Sequence, residues 1–537
     1  MSKIFRSFGS SNRWMRIFAV LLFVMVLVSF GFAAQSTADN LKAKIAFMKK
    51  EIVYLDDNFT RDNIKWADYK AKVAALAGRA ASDSDAEVLL KEAAKLHESA
   101  PLRLPSGPAG TGEFGAYYVN LKFSLSWDQA WHVSGYPDVV VRFDDYDHRF
   151  VFWRGTSYIP CWATYDGAWY TNEFFERRGY LGGCSSMCEP MSDKQARYSH
   201  ARIIESTPAR VVVHWRYSPV DLEYVQPYRN KMTGWGDCVD EYYTIYPDSV
   251  GVRKATIHTG SPLDDWIEYQ EGIVVNQPHT IPEDNINYDA VTFANLEGQS
   301  KTYIWTEKGG PELRGAPDKP CIQVINFKNT HKPFTVVNPD SVTIKVYGGH
   351  GKNSFFNWWN HWPVAQEKSD TTRAESAIRP SHSSLTHIEW DQYSQEGISR
   401  TWIMMNGMTD KPAAELVGLA KSWLYAPELK LTSSGYKSEG YDQSQRAYKL
   451  NCNSVGRPSE LEFVLAASEE SSVVNPAFVV EGWGKSPVSL KINGKDVKLG
   501  KDFRVGFTRK LQTEDLIIWV KVESTKPLNF SIIPKSK

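Results

Sequence analysis

The feature that most limits what this chain can become is the run from Phe114 to about Met408. Short segments rich in β-branched and aromatic residues alternate there with clusters of Gly, Pro, Asn and Asp. Arg210-Val-Val-Val-His-Trp-Arg216, Cys238-Val-Asp-Glu-Tyr-Tyr-Thr-Ile245, Gly251-Val-Arg-Lys-Ala-Thr-Ile257 and Val342-Thr-Ile-Lys-Val-Tyr347 are examples. Such segments fit a pleated, half-buried surface, and the clusters between them break it into turns. Strand after strand without helical periodicity predicts a mainly β chain built on a large antiparallel β-sandwich. No blade-like repeat argues for a propeller.

Within this run, Val139-Val-Val-Arg-Phe143 and Arg149-Phe-Val-Phe-Trp153 read as a hairpin closed by Asp144-Asp-Tyr-Asp147. Gly155 permits a sharp exit from the second strand. Trp153, Trp162, Tyr165, Trp169 and Tyr170 then crowd beside Arg154, Asn172, Glu173 and Glu176. Aromatic faces stack on the apolar faces of sugar rings, while amides, carboxylates and arginines read hydroxyls and carboxylates. A second such stretch is Phe355-Phe-Asn-Trp-Trp-Asn-His-Trp-Pro363. Asn357, Asn360 and His361 are its polar readers, Trp358, Trp359 and Trp362 its walls, and Arg373 and Arg379 follow. His361 is the leading functional histidine, ahead of His148, His214 and His200.

The rest of the chain organises around that core. At 537 residues it exceeds one hydrophobic core. Lys3, Arg6, Arg13 and Arg16, an apolar stretch from Ile17 to Phe30 and Gly31-Phe-Ala33 read as a cleavable export signal over 1–33. A secreted or periplasmic protein with no stable membrane insertion follows. A helical segment spans 34–100: Leu41, Ile45, Met48, Ile52 and Leu55, then Ile64, Tyr69, Val73 and Leu76, then Val88, Leu89, Ala93 and Leu96. Ser84-Asp-Ala-Glu87 reads as the capping box of the third helix. A linker is expected over 101–113, the sandwich that would carry catalysis over 114–408, a connecting helix over 409–428 and an accessory β-sandwich over 429–537. In the last, Asn493-Gly494 marks a hairpin turn.

Lys plus Arg and Asp plus Glu both number 62, so no charge excess points to nucleic acid or an anionic membrane. Cys161, Cys184, Cys188, Cys238, Cys321 and Cys452 read first as disulfides in an exported chain, with pairing open. The Cys184–Cys188 cluster has metal binding as its minority reading. Nucleotide loops, GxSxG elbows, HExxH helices and EF-hand loops are absent from the sequence. No cofactor is required, and a structural calcium is compatible with a sandwich.

Three chemistries fit these residues. β-Elimination of a uronic-acid polysaccharide needs a carboxylate-neutralising group, a base for the C5 proton and an acid for the leaving oxygen. Arg154, Tyr158, Tyr170, Asn172 and His361 match that set, with Glu173, Trp153, Trp169, Asn357, Trp358, Asn360 and Arg373 as substrate contacts. Glycoside hydrolysis needs paired carboxylates, for which Asp144, Asp145, Glu173 and Glu176 are candidates. Binding without chemistry needs the aromatics alone. The runs Phe150-Val-Phe-Trp-Arg-Gly-Thr-Ser-Tyr-Ile-Pro160, Trp169-Tyr-Thr-Asn-Glu-Phe174 and Asn360-His-Trp-Pro-Val-Ala365 resemble secreted bacterial polysaccharide lyases that pair helices with a β-supersandwich, the ulvan-lyase type foremost. That resemblance implies Tyr158 or Tyr170 as acid or base, His361 as partner base, and Arg154 with Asn172 as carboxylate clamp. It departs from the family pattern in having too few helical residues for a large α/α toroid.

Overall fold

The computed structural model describes residues 36–535, apart from 60–62, 83–84, 108–109, 131–134, 166, 178–180, 261–269, 307–309, 349–353, 360–361, 363–379, 391–393 and 397. The expected export signal therefore lies outside the described residues, and no described helix is long and apolar enough to cross a membrane.

The chain is mainly β, with short N-terminal helices. It divides into two compact units, one helical and the other holding residues 54–63 and 101–537. The helical unit is built on α1 (Thr37–Leu55), α2 (Ile64–Arg79) and α3 (Ala86–Glu98). Leu41, Ile45, Met48, Tyr69, Val73, Leu76, Leu89 and Ala93 are buried, as their spacing predicts. Ile64 and Val88 face solvent instead, and Trp66 is the buried residue of the first turn of α2. The cap of α3 sits one residue later than expected: the Asp85 carboxylate accepts from the Val88 amide at 3.2 Å.

The second unit opens with β1 (Gly115–Val119), β2 (Asp138–Arg142), β3 (Arg149–Phe152), β4 (Pro160–Ala163) and β5 (Trp169–Thr171). Next come β6 (His200–Ser206), β7 (Val211–Tyr217), β8 (Cys238–Ile245), β9 (Val250–His258) and β10 (Gln270–Asn276). Then follow β11 (Ile286–Ala294), β12 (Ser300–Tyr303), β13 (Ile322–Phe327), β14 (Lys332–Val336) and β15 (Val342–Val346). Last are β16 (Ser381–Trp390), β17 (Ser394–Glu396) and β18 (Ser399–Thr409). They form an eight-stranded sheet, β1-β2-β3-β4-β5-β10-β16-β15, and a ten-stranded sheet, β12-β11-β13-β14-β18-β9-β8-β7-β6 with β17 beside β18. All pairings within these two sheets are antiparallel. The helix-free reading of this region needs one amendment, because short helices stand at Leu125–Ala130 and Pro282–Asn285.

The expected hairpin is β2–β3, in the register Val139↔Phe152, Val140↔Val151, Val141↔Phe150. Gly155 is needed for a different reason than a bend. A Cβ there would lie 2.4 Å from the Trp153 ring, and the left-handed residues are Ser157 (φ 53) and Tyr158 (φ 64).

The sheets are joined through a polar interior. Arg253 on β9 donates to both Glu241 carboxylate oxygens, at 2.7 and 2.6 Å, and Tyr217 and Tyr243 donate to the same carboxylate at 3.0 and 2.6 Å. The other arm of Arg253 crosses to the eight-stranded sheet, donating to Gln270 Oε1 at 2.7 Å and to the Asn172 carbonyl at 3.1 Å. Burial disfavours the charge on Arg253, but Glu241 and the neighbouring phenols outweigh it and hold its pKa above the ordinary value.

Past β18, a helical turn Ala413–Leu416 runs into the helix Val417–Leu424, within the expected connecting segment. Two five-stranded sheets then form the C-terminal sandwich, whose core includes Phe463, Phe478, Trp483 and Phe530. Its Asn493-Gly494 turn has positive φ at both residues, 49 and 78, as a type I′ hairpin requires. Arg446 pairs with Asp248 at 2.9 Å and Arg504 with Asp144 at 2.6 Å, tying the two sandwiches together. The cysteines do not form a three-bridge framework. Cys184–Cys188 is a disulfide, and Cys161, Cys238, Cys321 and Cys452 are free thiols.

Removing one partner of a buried ion pair strands the other charge, so Arg253→Met should destabilise the protein by about 3–5 kcal/mol in urea unfolding. The double variant Arg253→Met/Glu241→Gln should recover part of that loss. A single variant within about 0.5 kcal/mol of the parent would show that the pair does not join the sheets.

Candidate functional site

The structure buries most of the described residues that the sequence groups together. Trp153, Tyr158, Trp169, Tyr170 and Trp358 are fully buried, and Asn172 and Glu173 nearly so. The reason is local: β3, β4 and β5 are buried on both faces, so alternation sends no side chain to solvent. Tyr170 sits between the sheets, its hydroxyl accepting from Asn172 Nδ2 at 2.9 Å and Gln323 Nε2 at 3.0 Å. Burial pushes its phenol up to about 12 despite those hydrogen bonds. Glu173 Oε2 accepts from the Glu271 amide at 2.8 Å.

Arg154 is half-buried and pairs with Asp138 at 3.2 Å. Burial raises the Asp138 carboxyl to about 6 against the pull of that arginine. Asn357 is half-buried, and Trp359 stacks on His382 with ring centroids 5.1 Å apart. Asn360, His361 and Arg373 lie outside the described residues. Of the carboxylates considered for hydrolysis, Asp144 and Asp145 are engaged by Arg504 and Lys501 of the C-terminal sandwich.

Among the described residues, another concentration of polar chemistry lies on the outer face of the ten-stranded sheet, where Tyr242 is exposed and His214 is 8% exposed. The register sets Arg202 opposite His214, His214 opposite Tyr242, and Tyr242 opposite Lys254. A parallel row runs His200, Arg216, Asp240, Thr256 and Thr401. Opposed residues of an antiparallel pair share a face, so both rows look outward. Asp240 is the hub. Its Oδ1 is 2.6 Å from His214 Nε2, its Oδ2 is 3.1 Å from His258 Nε2, and Arg216 Nη1 is 3.4 Å from Oδ2. The Tyr242 ring, 39% exposed, stacks on His214 with centroids 4.5 Å apart. His258 Nδ1 meets Ser399 Oγ at 2.6 Å. Burial works against ionising Asp240, but the His214 hydrogen bond and the charges of Arg216, His214 and His258 prevail, holding its carboxyl below the usual range.

Two depressions extend this face. Along β6 a cleft of about 390 Å³ is lined by Tyr118, Tyr136, Tyr158, His200 and Arg202. Tyr118 and Tyr136 are more than half exposed, and the buried, left-handed Tyr158 contributes to the floor. At the other end, Lys254, Thr401 and Ile403 open into a groove of about 790 Å³ shared with Tyr441 and Lys449 of the C-terminal sandwich. Glu396, Glu439 and Asp442 also line that groove, so the face offers a track that is aromatic and basic along β6 and mixed in charge at its other end.

Sequence reasoning ranked His214 and His200 low and passed over Asp240, Arg216, Tyr242 and His258. Their signal was the alternation within the strands: His214 with Arg216, and Asp240 with Tyr242, recur at every second position where a buried strand would carry apolar residues. Among the described residues, Asp147, His148 and His331 are the group able to hold a metal ion.

No family model matches the chain, and no curated protein matches it. Among solved structures, a Paenibacillus xanthan lyase has a TM-score of 0.28 and 9% identity over 93% of this chain and 45% of its own. A heparan sulfate lyase of Pedobacter heparinus has a TM-score of 0.26 and 8% identity, covering 79% of this chain and 65% of its own. A heparinase III scores 0.26 with 8% identity over 82% of this chain and 65% of its own. The chain thus spans less than two thirds of the length of each, and likenesses at these scores assign neither fold nor chemistry.

Because the folded carboxyl of Asp240 ionises below its unfolded value of about 3.9, it contributes stability that is full above that pH and is lost as pH falls through the folded value. Asp240→Asn should therefore flatten the acid limb of the urea midpoint measured against pH. A limb as steep as the parent's would remove Asp240 from the hub of this cluster.

Proposed function

We propose that the chain is a carbohydrate-active lyase that cleaves a uronate-containing polysaccharide by β-elimination on the outer face of β6–β9. The observation that carries the reading is a single carboxylate, Asp240, holding two imidazoles and a guanidinium on the outer sheet face beside an exposed phenol. Facing a carboxylate, His214 Nε2 carries the proton and donates it, which leaves the lone pair on Nδ1. Nδ1 has no hydrogen-bond partner among the described residues.

In the reaction, Arg216 and Arg202 neutralise the uronate carboxylate, which makes the C5 proton more acidic. His214 Nδ1 takes that proton, the electron pair becomes the C4–C5 double bond, and the C4–O bond breaks. The Tyr242 hydroxyl returns a proton to the leaving oxygen. Asp240 fixes the imidazole and stabilises the imidazolium that forms. Tyr118 and Tyr136 supply stacking faces along the track, and the basic residues on both rows suit an anionic polymer.

Purified protein incubated with a panel of uronate polysaccharides should generate the ultraviolet absorbance of an unsaturated uronate. His214→Ala should lower that rate by about 10²–10⁴-fold, and Tyr242→Phe by a comparable factor, measured well below each variant's own urea midpoint so that both are folded. Arg202→Ala, on an exposed edge, should act mainly on KM. Full activity in both the His214 and Tyr242 variants contradicts the assignment, as does release of reducing ends without the unsaturated product.

A further inference from the structure

A second cluster lies at one end of the large sandwich, where two hairpin turns meet. Asp147 and His148 belong to the β2–β3 turn of the eight-stranded sheet, and His331 to the β13–β14 turn of the ten-stranded sheet. One ligand-capable atom from each lies within 4.8 Å of the other two. His148 is 1% exposed, and its Nε2 is 2.7 Å from Ser249 Oγ. Its Nδ1 is buried and has no hydrogen-bond partner. The Asp147 carboxylate likewise makes no hydrogen bond among the described residues, since Arg149 reaches the Asp147 backbone carbonyl instead.

This arrangement is wasteful as a packing solution. A buried ring nitrogen without a partner costs free energy, and the ring that carries it has a second imidazole as its neighbour. The His148 and His331 rings are 5.2 Å apart, and Tyr146 stacks on His148 at 5.0 Å, fixing the ring.

From these contacts the geometry points to a transition-metal site, with Zn²⁺ the best match, held by Asp147, His148 through Nδ1, and His331. Two imidazoles and one carboxylate are a zinc ligand set with a fourth position open, and such ligands close to roughly 2.0–2.2 Å from the ion. A metal-bound histidine commonly donates its other ring N–H to an oxygen, and Ser249 Oγ is placed to accept from His148 Nε2. An approach path exists: Tyr146 and His331 line a cleft of about 290 Å³ together with Asp145, Asp410, Lys501 and Arg504. The ion would clip a turn of one sheet to a turn of the other. The site is separate from the face of β6–β9 and does not depend on the lyase reading.

The test uses tag-free full-length protein stripped with a chelator and titrated with Zn²⁺ in competition with a chromophoric chelator. One ion per chain should bind, and the thermal midpoint should rise with free Zn²⁺. Asp147→Asn and His331→Gln change exposed or half-buried turn residues and leave the buried His148 in place, so both should fold. Each removes a direct ligand and should weaken binding by at least the roughly 10–100-fold that losing an outer-shell partner costs, and abolish the thermal shift. Co²⁺ in the parent should give visible d–d bands that both variants lose. Absence of a bound ion in the parent, or equal affinity in the parent and both variants, overturns the site.

Discussion

The bonded pair of Arg253 and Glu241 is the interaction on which the rest of the large sandwich depends. A guanidinium and a carboxylate with 1% and 0% side-chain exposure survive in the interior because the carboxylate accepts four hydrogen bonds and the guanidinium donates four. Glu241 collects Arg253, Tyr217 and Tyr243 from three adjacent strands, and Arg253 spends its remaining arm on Gln270 and Asn172 of the opposite sheet. An apolar core would tolerate sliding of strands against one another. This network tolerates one register.

That register is also what builds the candidate site. Strand residues alternate faces, so pointing Glu241 inward sends Asp240 and Tyr242 outward, and pointing Arg253 inward sends Lys254 outward. On β7 the buried pair Trp215 and Tyr217 sends His214 and Arg216 to the same outer face. A slip of one residue on β8 would bury Asp240 and expose Glu241, destroying interior and site together. The inner ion pair and the outer Asp240 hub are thus two faces of one constraint. The C-terminal sandwich adds to the same face, being held through Asp248–Arg446 and Asp144–Arg504 and lending Tyr441 and Lys449 to the groove.

Local features were legible in the sequence because local forces decide them. The β2–β3 hairpin, the three amphipathic helices and the Asn493-Gly494 turn follow from side-chain alternation, 3.6-residue spacing and the left-handed preference of Asn-Gly. The site was less legible. His214, Asp240 and His258 stand 26 and 18 positions apart and meet only through the pairing of three strands. Aromatic density pointed instead to Trp153, Trp169 and Tyr170, which the structure uses as core because both faces of their strands are covered. Burying each such ring contributes on the order of 1.5–3 kcal/mol, reason enough for their number in a sandwich this large. Asp144 and Asp145, two of the four carboxylates that fit hydrolysis by sequence, serve as docking points for Arg504 and Lys501, contacts more than 350 positions away in sequence.

The central claim is elimination on the Asp240 face, and the mass of the released oligosaccharides tests it most directly. Elimination adds no water, so each cleavage should leave one fragment lighter by a water than its hydrolytic counterpart, with the unsaturation at its non-reducing end. Mass spectra dominated by such fragments from the parent, and free of them for His214→Ala, are the predicted result. Fragments that have all gained water, or unsaturated fragments released equally by the His214 variant, would contradict the account.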